Sequence, residues 1–285
     1  MSGERQTAIA GARYRIGFDI GGTFTDFVLF DAVEGTVTLH KRLTTPKDPA
    51  EAALTGLEEL AAQKGIRLAE VGEMVHGTTL VTNAIIERRG ARLGLLTTRG
   101  FRDILEMGTE QRYDIYDLFL AFLNAYADPA HERAAGAIVR RLFPDITLSL
   151  SSDVVPEIGE YQRTVTTCAN AYVQPLVDSY LRRLEAALAE RGFRGALRLM
   201  HSAGGLVSVE TARAYPIRLL ESGPAGGGLA TALFGELAGK RDVISFDMGG
   251  TTAKACLIED GRAEIAPMLE AARVHRFTKG SGLPI

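Results

Sequence analysis

Two short stretches of this sequence carry groups suited to holding a polyphosphate. One is FDIGGTFTD, from Phe18 to Asp26; the other is FDMGGTTAK, from Phe246 to Lys254. Asp19, Gly21, Gly22 and Thr23 recur as Asp247, Gly249, Gly250 and Thr251 at a single offset of 228 residues (19 to 247). Glycines lack the side chain that keeps an anion away from main-chain N–H groups, and the hydroxyls of Thr23, Thr25, Thr251 and Thr252 add donors. An aspartate beside a phosphate is repulsive by itself. Asp19 and Asp247 therefore suit Mg²⁺, bound directly or through water, or the orientation of a nucleophile. A lone glycine pair after a strand is usually a hairpin turn, whereas two copies behind the same strand form an internal repeat. The copies differ at one place: Lys254 stands where the first has Asp26. One hairpin offers a metal or base function and the other adds positive charge.

The elements that must position these groups follow from the apolar pattern. YRIGFDI, TFTDFVLF and TVTLHKRLTT read as three antiparallel strands, broken at Gly21-Gly22 and near Glu34-Gly35. Asp48 before Pro49, with Glu51 three positions on, marks a helix start, and Gly65 its stop. MVHGTTLVTNAIIERRG predicts a strand, a loop from His76 to Thr79 and a helix ending at Gly90, after which ARLGLLTT predicts a buried strand. Pro224 opens a helix whose small residues permit tight packing. ANAYVQPLVDSYLRRLEAALAERGF predicts a scaffold helix with Pro175 near its first turns and Gly192 at its end.

The chain has 285 residues, 46% hydrophobic and 24% charged, enough for about two domains with cores. A formal net charge of -3 gives no pull toward nucleic acid or an anionic membrane surface. No run approaches the ~20 apolar residues of a membrane span, and the N-terminus shows no signal-peptide core. Cys168 and Cys256 lack metal-ligand spacing, so a reduced, cytoplasmic chain is expected.

With ESGPAGGGLATALFG just before the second copy, the paired hairpins resemble the phosphate-1, connecting-helix and phosphate-2 elements of the actin, hexokinase and Hsp70 ATPase superfamily. Within it, DIGGTFTD, VHGTTLVTNAIIERRGARLGLLTTRGFRDILEMG and FDMGGTTAKA are similar to the hydantoinase A and 5-oxoprolinase family, which includes N-methylhydantoinase A and the acetone and acetophenone carboxylase subunits. The resemblance, which runs from Tyr14 onward, implies an α/β fold of two ribonuclease-H-like lobes, the second truncated. The lobes are expected over residues 14–160 and 161–285. It further implies ATP and Mg²⁺ as cofactors, with Asp19, Asp26 and Asp247 catalytic, Asp19 and Asp247 holding the metal, and the two glycine turns with Lys254 holding phosphate. The implied reaction is ATP-dependent hydrolysis of a cyclic amide such as a hydantoin or 5-oxoproline, through phosphorylation of a ring carbonyl oxygen. A ketone is the other substrate class, and a hydantoinase B-type subunit is the implied partner. Relatives carry a strand-rich segment near Leu118 to Ala121 that is missing here, and an adenosine-binding element beyond Ile285. The first loss should leave apolar surface uncovered, and both should impair activity.

Further candidates face plainer accounts. His76, Thr78 and Thr79 precede a helix start that can receive a carbonyl or phosphate oxygen, although a helix-capping loop accounts for them equally well. Asn83 can line a pocket or simply belong to a polar helix face. His201, Ser202, Gly204 and Gly205 in MHSAGG resemble a family loop entering the cleft. A small-molecule kinase shares the phosphate hairpins, and a non-catalytic or split-gene binding subunit fits the shortened chain.

Overall fold

Alternation in YRIGFDI and FTDFVLFD sends every second side chain to one face of a sheet, and that face becomes a core. The structure, a computed structural model, describes residues 12–45, 48–101, 117–248, 253–264, 270–271 and 283–285. In it β1 (Tyr14–Ile20), β2 (Phe24–Asp31) and β3 (Thr36–Leu43) form the expected antiparallel meander. β4 (Val71–Thr78) joins β1 in parallel, β8 (Ala196–Met200) joins β4 in parallel, and β9 (Leu206–Ser208) runs antiparallel at the edge. The order is β3-β2-β1-β4-β8-β9.

Ile16, Phe18, Ile20, Phe27, Leu29 and Met74 are buried on one face of this sheet. Helix α1 (Pro49–Lys64) packs there, started by the Asp48 carboxylate accepting from the Ala50 N–H at 3.2 Å and ended by Gly65 in the left-handed region. A Cβ at Gly56 would lie 2.2 Å from Cζ of Phe27, so the helix can rest on that ring only through glycine. The last part of α5 (Glu160–Glu190) adds Tyr180, Leu181, Leu184 and Leu188 to the core. Beneath the start of β1, Arg13 and the Val33 and Glu34 N–H groups bind Asp31 and pull its carboxyl down to about 2.

A second sheet repeats the hairpin: β10 (Val243–Met248), β11 (Ala253–Glu259) and β12 (Arg262–Ala263), all antiparallel. The architecture is mixed α/β with two ribonuclease-H-like lobes, and β10, β11 and β12 open the second. Helix α7 (Ser222–Leu237) packs on β4 and β8 of the first sheet and on β10, β11 and β12 of the second.

By contacts, residues 1–80, 179–213 and 218–265 form one compact unit, and 81–178, 214–217 and 266–285 another. Both hairpin sheets belong to the first unit. The lobe boundary expected at 160/161 coincides with the start of α5, and the contact units interleave across it.

The second unit holds a parallel sheet of β5 (Leu93–Thr97), β6 (Asp117–Ala121) and β7 (Leu148–Leu150). Residues of α2 (Leu80–Ile86), then α3 (Ala130–Leu142), α4 (Ser151–Val154) and the first part of α5 accompany it. A short β13 (Glu270–Ala271) and β14 (Leu283–Pro284) pair separately, and α6 (Val209–Ala214) follows β9 in sequence. Buried Glu132 accepts from Ser151 Oγ at 2.7 Å and from the Ser152 and Phe122 N–H groups, while buried Arg163 donates to Ser151 Oγ and the Phe122 carbonyl and pairs with Glu160.

Two expectations change. Strand β4 continues through His76 to Thr78, where a loop was expected, because those residues pair with β1 up to Ile20. Helix α5 begins at Glu160, well before Pro175, because EYQRTVTTC is itself helical and extends the pattern. In β6, Phe119, Leu120 and Ala121 are buried in the centre of the parallel sheet.

Candidate functional site

Register places the chemistry. Asp19 on β1 stands opposite Asp26 on β2, Asp26 stands opposite Lys41 on β3, and Gly77 of β4 lies beside Asp19 on its other side. Together with Gly17 and Val28 these residues line an open cavity of about 570 Å³ on the face away from α1, and Met200, Ser222 and Gly223 border it. Lys41 Nζ meets Asp26 Oδ1 at 2.9 Å, in a solvent-exposed pair.

Asp19 is the strained electrostatic centre. Burial first, then the negative charges of Asp26 and Asp247, pushes its carboxyl above the ordinary value. Its Oδ1 is buried and has no hydrogen-bond partner among the described residues. A Cβ at Gly77 would fall 2.6 Å from that oxygen, so glycine at 77 is what allows the carboxylate to lie over β4.

Helix α7 brings the second hairpin to this point. A Cβ built on Gly223 would lie 3.9 Å from Asp19 Oδ2, and one on Gly226 3.4 Å from Met200 Cε. The corresponding distances are 3.8 Å from Gly227 to Ser245 Oγ and 3.3 Å from Gly228 to Cys256 Sγ. The run GPAGGG therefore touches both sheets with its bare backbone, and Asp247, two residues after Ser245, comes within electrostatic range of Asp19. Opposite Asp247 in the ladder stands Lys254, whose Nζ is bound to the carboxylate of Glu221.

The first glycine turn is held from behind. Gly21 N–H donates to the Phe24 carbonyl at 2.9 Å, the Thr44 N–H to the Thr23 carbonyl at 2.9 Å, and the Thr44 hydroxyl to the Gly21 carbonyl at 2.9 Å. Gly22 has neither a positive φ nor any atom within 4 Å of where a Cβ would be, so the space beside its Cα is open to a ligand. Thr25 is fully buried and shares a 2.9 Å hydrogen bond with the Thr44 hydroxyl. It braces the turn and does not face a ligand. Gly249, Gly250, Thr251 and Thr252 lie outside the described residues.

The weaker candidates divide. His76 is completely buried, stacked on Phe18 with ring centroids 4.4 Å apart, and its Nε2 meets the Tyr180 hydroxyl at 2.8 Å. Burial lowers its pKa to about 4, so it is a neutral core residue on the face opposite the cavity, with no route to a ligand. Thr78 Oγ accepts from the Leu80 N–H, and Thr79 Oγ donates to the Ile20 carbonyl. Asn83 belongs to the second unit. His201, Ser202, Gly204 and Gly205 form the turn joining β8 to β9: the two glycines adopt φ of 83° and 79°, and His201 Nδ1 accepts from the Ala203 N–H. That turn explains its own glycines.

Sequence reasoning missed Gly77, Gly223, Lys41 and Glu221. The exchange of Asp26 for Lys254 held a clue to the last, since a half-buried ammonium requires an acidic partner. Among the described residues no cluster of three or more His, Cys, Asp or Glu could hold a metal. Nor is any described helix long and apolar enough to cross a membrane. A carboxylate pair with an unsatisfied oxygen still fits Mg²⁺, which binds through one or two carboxylates, waters and substrate phosphates.

Two family models match, the hydantoinase/oxoprolinase N-terminal region over residues 15–123 and hydantoinase/oxoprolinase over residues 163–278. An uncharacterised protein of Methanocaldococcus jannaschii is 33% identical over 329 positions, covering 95% of this chain and 48% of that protein. The caprolactamase subunit alpha of Pseudomonas jessenii is 31% identical over 311 positions, covering 89% of this chain and 44% of the subunit. The crystal structure of ATP-dependent caprolactamase from that organism superposes with a TM-score of 0.77 at 31% identity, over 85% of this chain and 43% of its own. The chain thus spans less than half the length of these relatives. Both sequence alignments are longer than its 285 residues, so the relatives carry internal segments that it lacks. The repeated hairpins, the glycine face of α7 and both family models place this chain in the hydantoinase/oxoprolinase family.

Proposed function

We propose that this chain carries the polyphosphate-binding part of an ATP-dependent enzyme that opens a cyclic amide of the hydantoin or 5-oxoproline type. The observation that carries the reading is Asp19, whose buried, unpartnered Oδ1 lies over Gly77, whose Oδ2 lies by Gly223 at the start of α7, and which is within electrostatic range of Asp247. Asp19 and Asp247 would hold Mg²⁺, which when bound neutralises phosphate charge. The main chain of Gly21, Gly22 and Thr23 would approach the phosphates, and Lys254 would add a cation. Asp26, beside Asp19, is the candidate base.

In this reaction the amide oxygen attacks the γ-phosphorus and the bond to the ADP oxygen breaks. Water then adds to the activated carbon, the C–N bond breaks with its electron pair going to nitrogen, which takes a proton, and a second water cleaves the acyl phosphate left behind to carboxylate and phosphate. Around the site Asp19, Asp26, Asp247 and Glu221 have Lys41 and Lys254 as their facing cations among the described residues. Polyphosphate binding should therefore require a divalent cation. The lobes would divide near residue 160, and two free cysteines fit a reducing, cytoplasmic setting.

A second reading, a binding subunit that needs another polypeptide for turnover, is favoured by the exposed outer face of the second sheet, Ile244, Phe246 and Met248. The test is calorimetric titration with Mg-ATP and Mg-tripolyphosphate, followed by phosphate release with hydantoin, 5-oxoproline and caprolactam. Weak binding of both phosphates with little preference for adenine, lost in Asp19→Asn and Asp247→Asn, is expected. Binding indifferent to both substitutions would remove the phosphate site. Ring-opened product identifies the enzyme, and a stable phosphorylated product a kinase.

A further inference from the structure

We propose that Glu221 is a latch on Lys254: it commits the ammonium to the N-terminal end of α7, and a phosphate-bearing ligand seats by taking Lys254 from it. The inference rests on the phosphate-site reading above and assigns Glu221 a role in that site.

Three features of Glu221 point this way. It is the N-cap residue of α7, yet its side chain makes no capping hydrogen bond to the helix. A short N-cap side chain such as Asp accepts from the free N–H groups of the first turn; the longer Glu221 side chain leaves them and reaches Lys254. Its backbone sits at φ 63°, ψ 26°, the left-handed region that a long side chain disfavours. Something must hold it there, and the Lys254 pair does so.

The repeat adds a fourth observation. Asp26 and Lys254 occupy equivalent places, and each has an oppositely charged partner. Asp26 and Lys41 are both more than half exposed, at 59% and 56%, whereas Lys254 and Glu221 are 35% and 22% exposed. The first pair is screened by solvent and opens easily; the second is shielded and holds its lysine in reserve. Lys254 therefore bonds to Glu221 although Asp247 stands directly across the ladder. Two residues beyond Glu221, Gly223 abuts Asp19, so opening the latch acts at the metal-binding end of the site.

The experiment is titration of the 285-residue chain with Mg-tripolyphosphate, using wild type, Glu221→Gln, Lys254→Met and the double variant. Glu221→Gly accompanies them because glycine accepts the left-handed φ without strain, which guards against a folding defect. Freeing the lysine should tighten binding about tenfold in Glu221→Gln and Glu221→Gly, the scale of one charge-assisted hydrogen bond. The gain should vanish when Lys254→Met is added. Unchanged or weaker binding in both Glu221 variants overturns the latch, as does a gain that survives loss of Lys254, which would report only general charge. If wild type binds and Glu221→Gln binds equally, the phosphate site stands and the latch alone falls. If no protein binds, both fall, because a released ammonium would then have created no anion site.

Discussion

The two hairpins share one sequence pattern and opposite surroundings. Phe18 in the first is 3% exposed, and its counterpart Phe246 is 68% exposed. Ile16 and Ile244 repeat the contrast at 1% and 66%. The apolar face of β1 lies in the core with α1 and the end of α5, whereas that of β10 lies open. On the other face the roles reverse. Gly17 and Val28 of the first hairpin line an open cavity, while Ser245 and Cys256 at the equivalent positions rest on the glycines of α7. A repeated motif thus secures local geometry, the hairpin and its aspartate, but which face is buried depends on what else the chain brings to it.

That contrast predicts unequal costs for equal substitutions. Phe18→Ala should lower unfolding stability by about 3–5 kcal/mol, the usual scale for a buried aromatic. Phe246→Ala should change it by less than about 0.5 kcal/mol, as at an exposed site. Urea denaturation of the two variants measures the difference, and similar losses would mean that the outer face of the second sheet is covered in solution. Phe246→Glu should also reduce binding of a hydrophobic dye, whereas Val33→Glu, an exposed change away from that face, should not.

The core beneath the first hairpin carries a pH signature. His76 has a pKa near 4 when folded and about 6.5 when unfolded, so the unfolded chain takes the proton first. Its contribution is complete above pH 6.5 and is lost as pH falls toward 4, by about 3 kcal/mol in all. Below that window Asp31, held low by Arg13 and two N–H groups, contributes stability that disappears between its unfolded value and about pH 2. Stability profiles of wild type and His76→Phe separate the two, because the variant should keep only the lower step.

Closer to the site, Gly77→Ala should displace the Asp19 carboxylate, since the added Cβ would sit 2.6 Å from Oδ1. Mg²⁺-dependent tripolyphosphate binding should weaken about tenfold, an effect of one strong contact. Gly227→Ala, whose Cβ has 3.8 Å to Ser245 Oγ, should leave binding within a factor of two or so of wild type. A Gly77→Ala protein binding like wild type would show that Asp19 does not need that position. A small effect is expected for Lys41→Met, which removes an exposed ion pair worth about 0.2–1 kcal/mol and should fade further in high salt.

Much of this was legible in the sequence because it is local. Strand alternation, the Asp48-Pro49 start and Gly65 stop of α1, and Pro224 near the start of α7 are short-range patterns, and each element formed where they indicated. The repeat of Asp19 and Asp247 was visible as spacing, and in the fold the charge of Asp247 reaches Asp19. His76 shows the opposite case. In HGTT the sequence placed His76 on a loop before a helix start, a candidate for ligand contact, yet strand pairing turns it into the core and leaves its neighbour Gly77 facing Asp19. Alternation of sides along a strand makes that choice, and a single slip of register reverses it.

The sequence by itself therefore determined the elements, the paired hairpins and the identity of the acidic groups, since propensity, caps and periodicity act over a few residues. Only the tertiary structure decided that Thr25 braces a turn, that Glu221 holds Lys254, and that Asp19 keeps an unsatisfied oxygen beside a bare glycine. Those outcomes depend on burial and on contacts between residues 19 to 58 positions apart or more, which no short window of sequence contains.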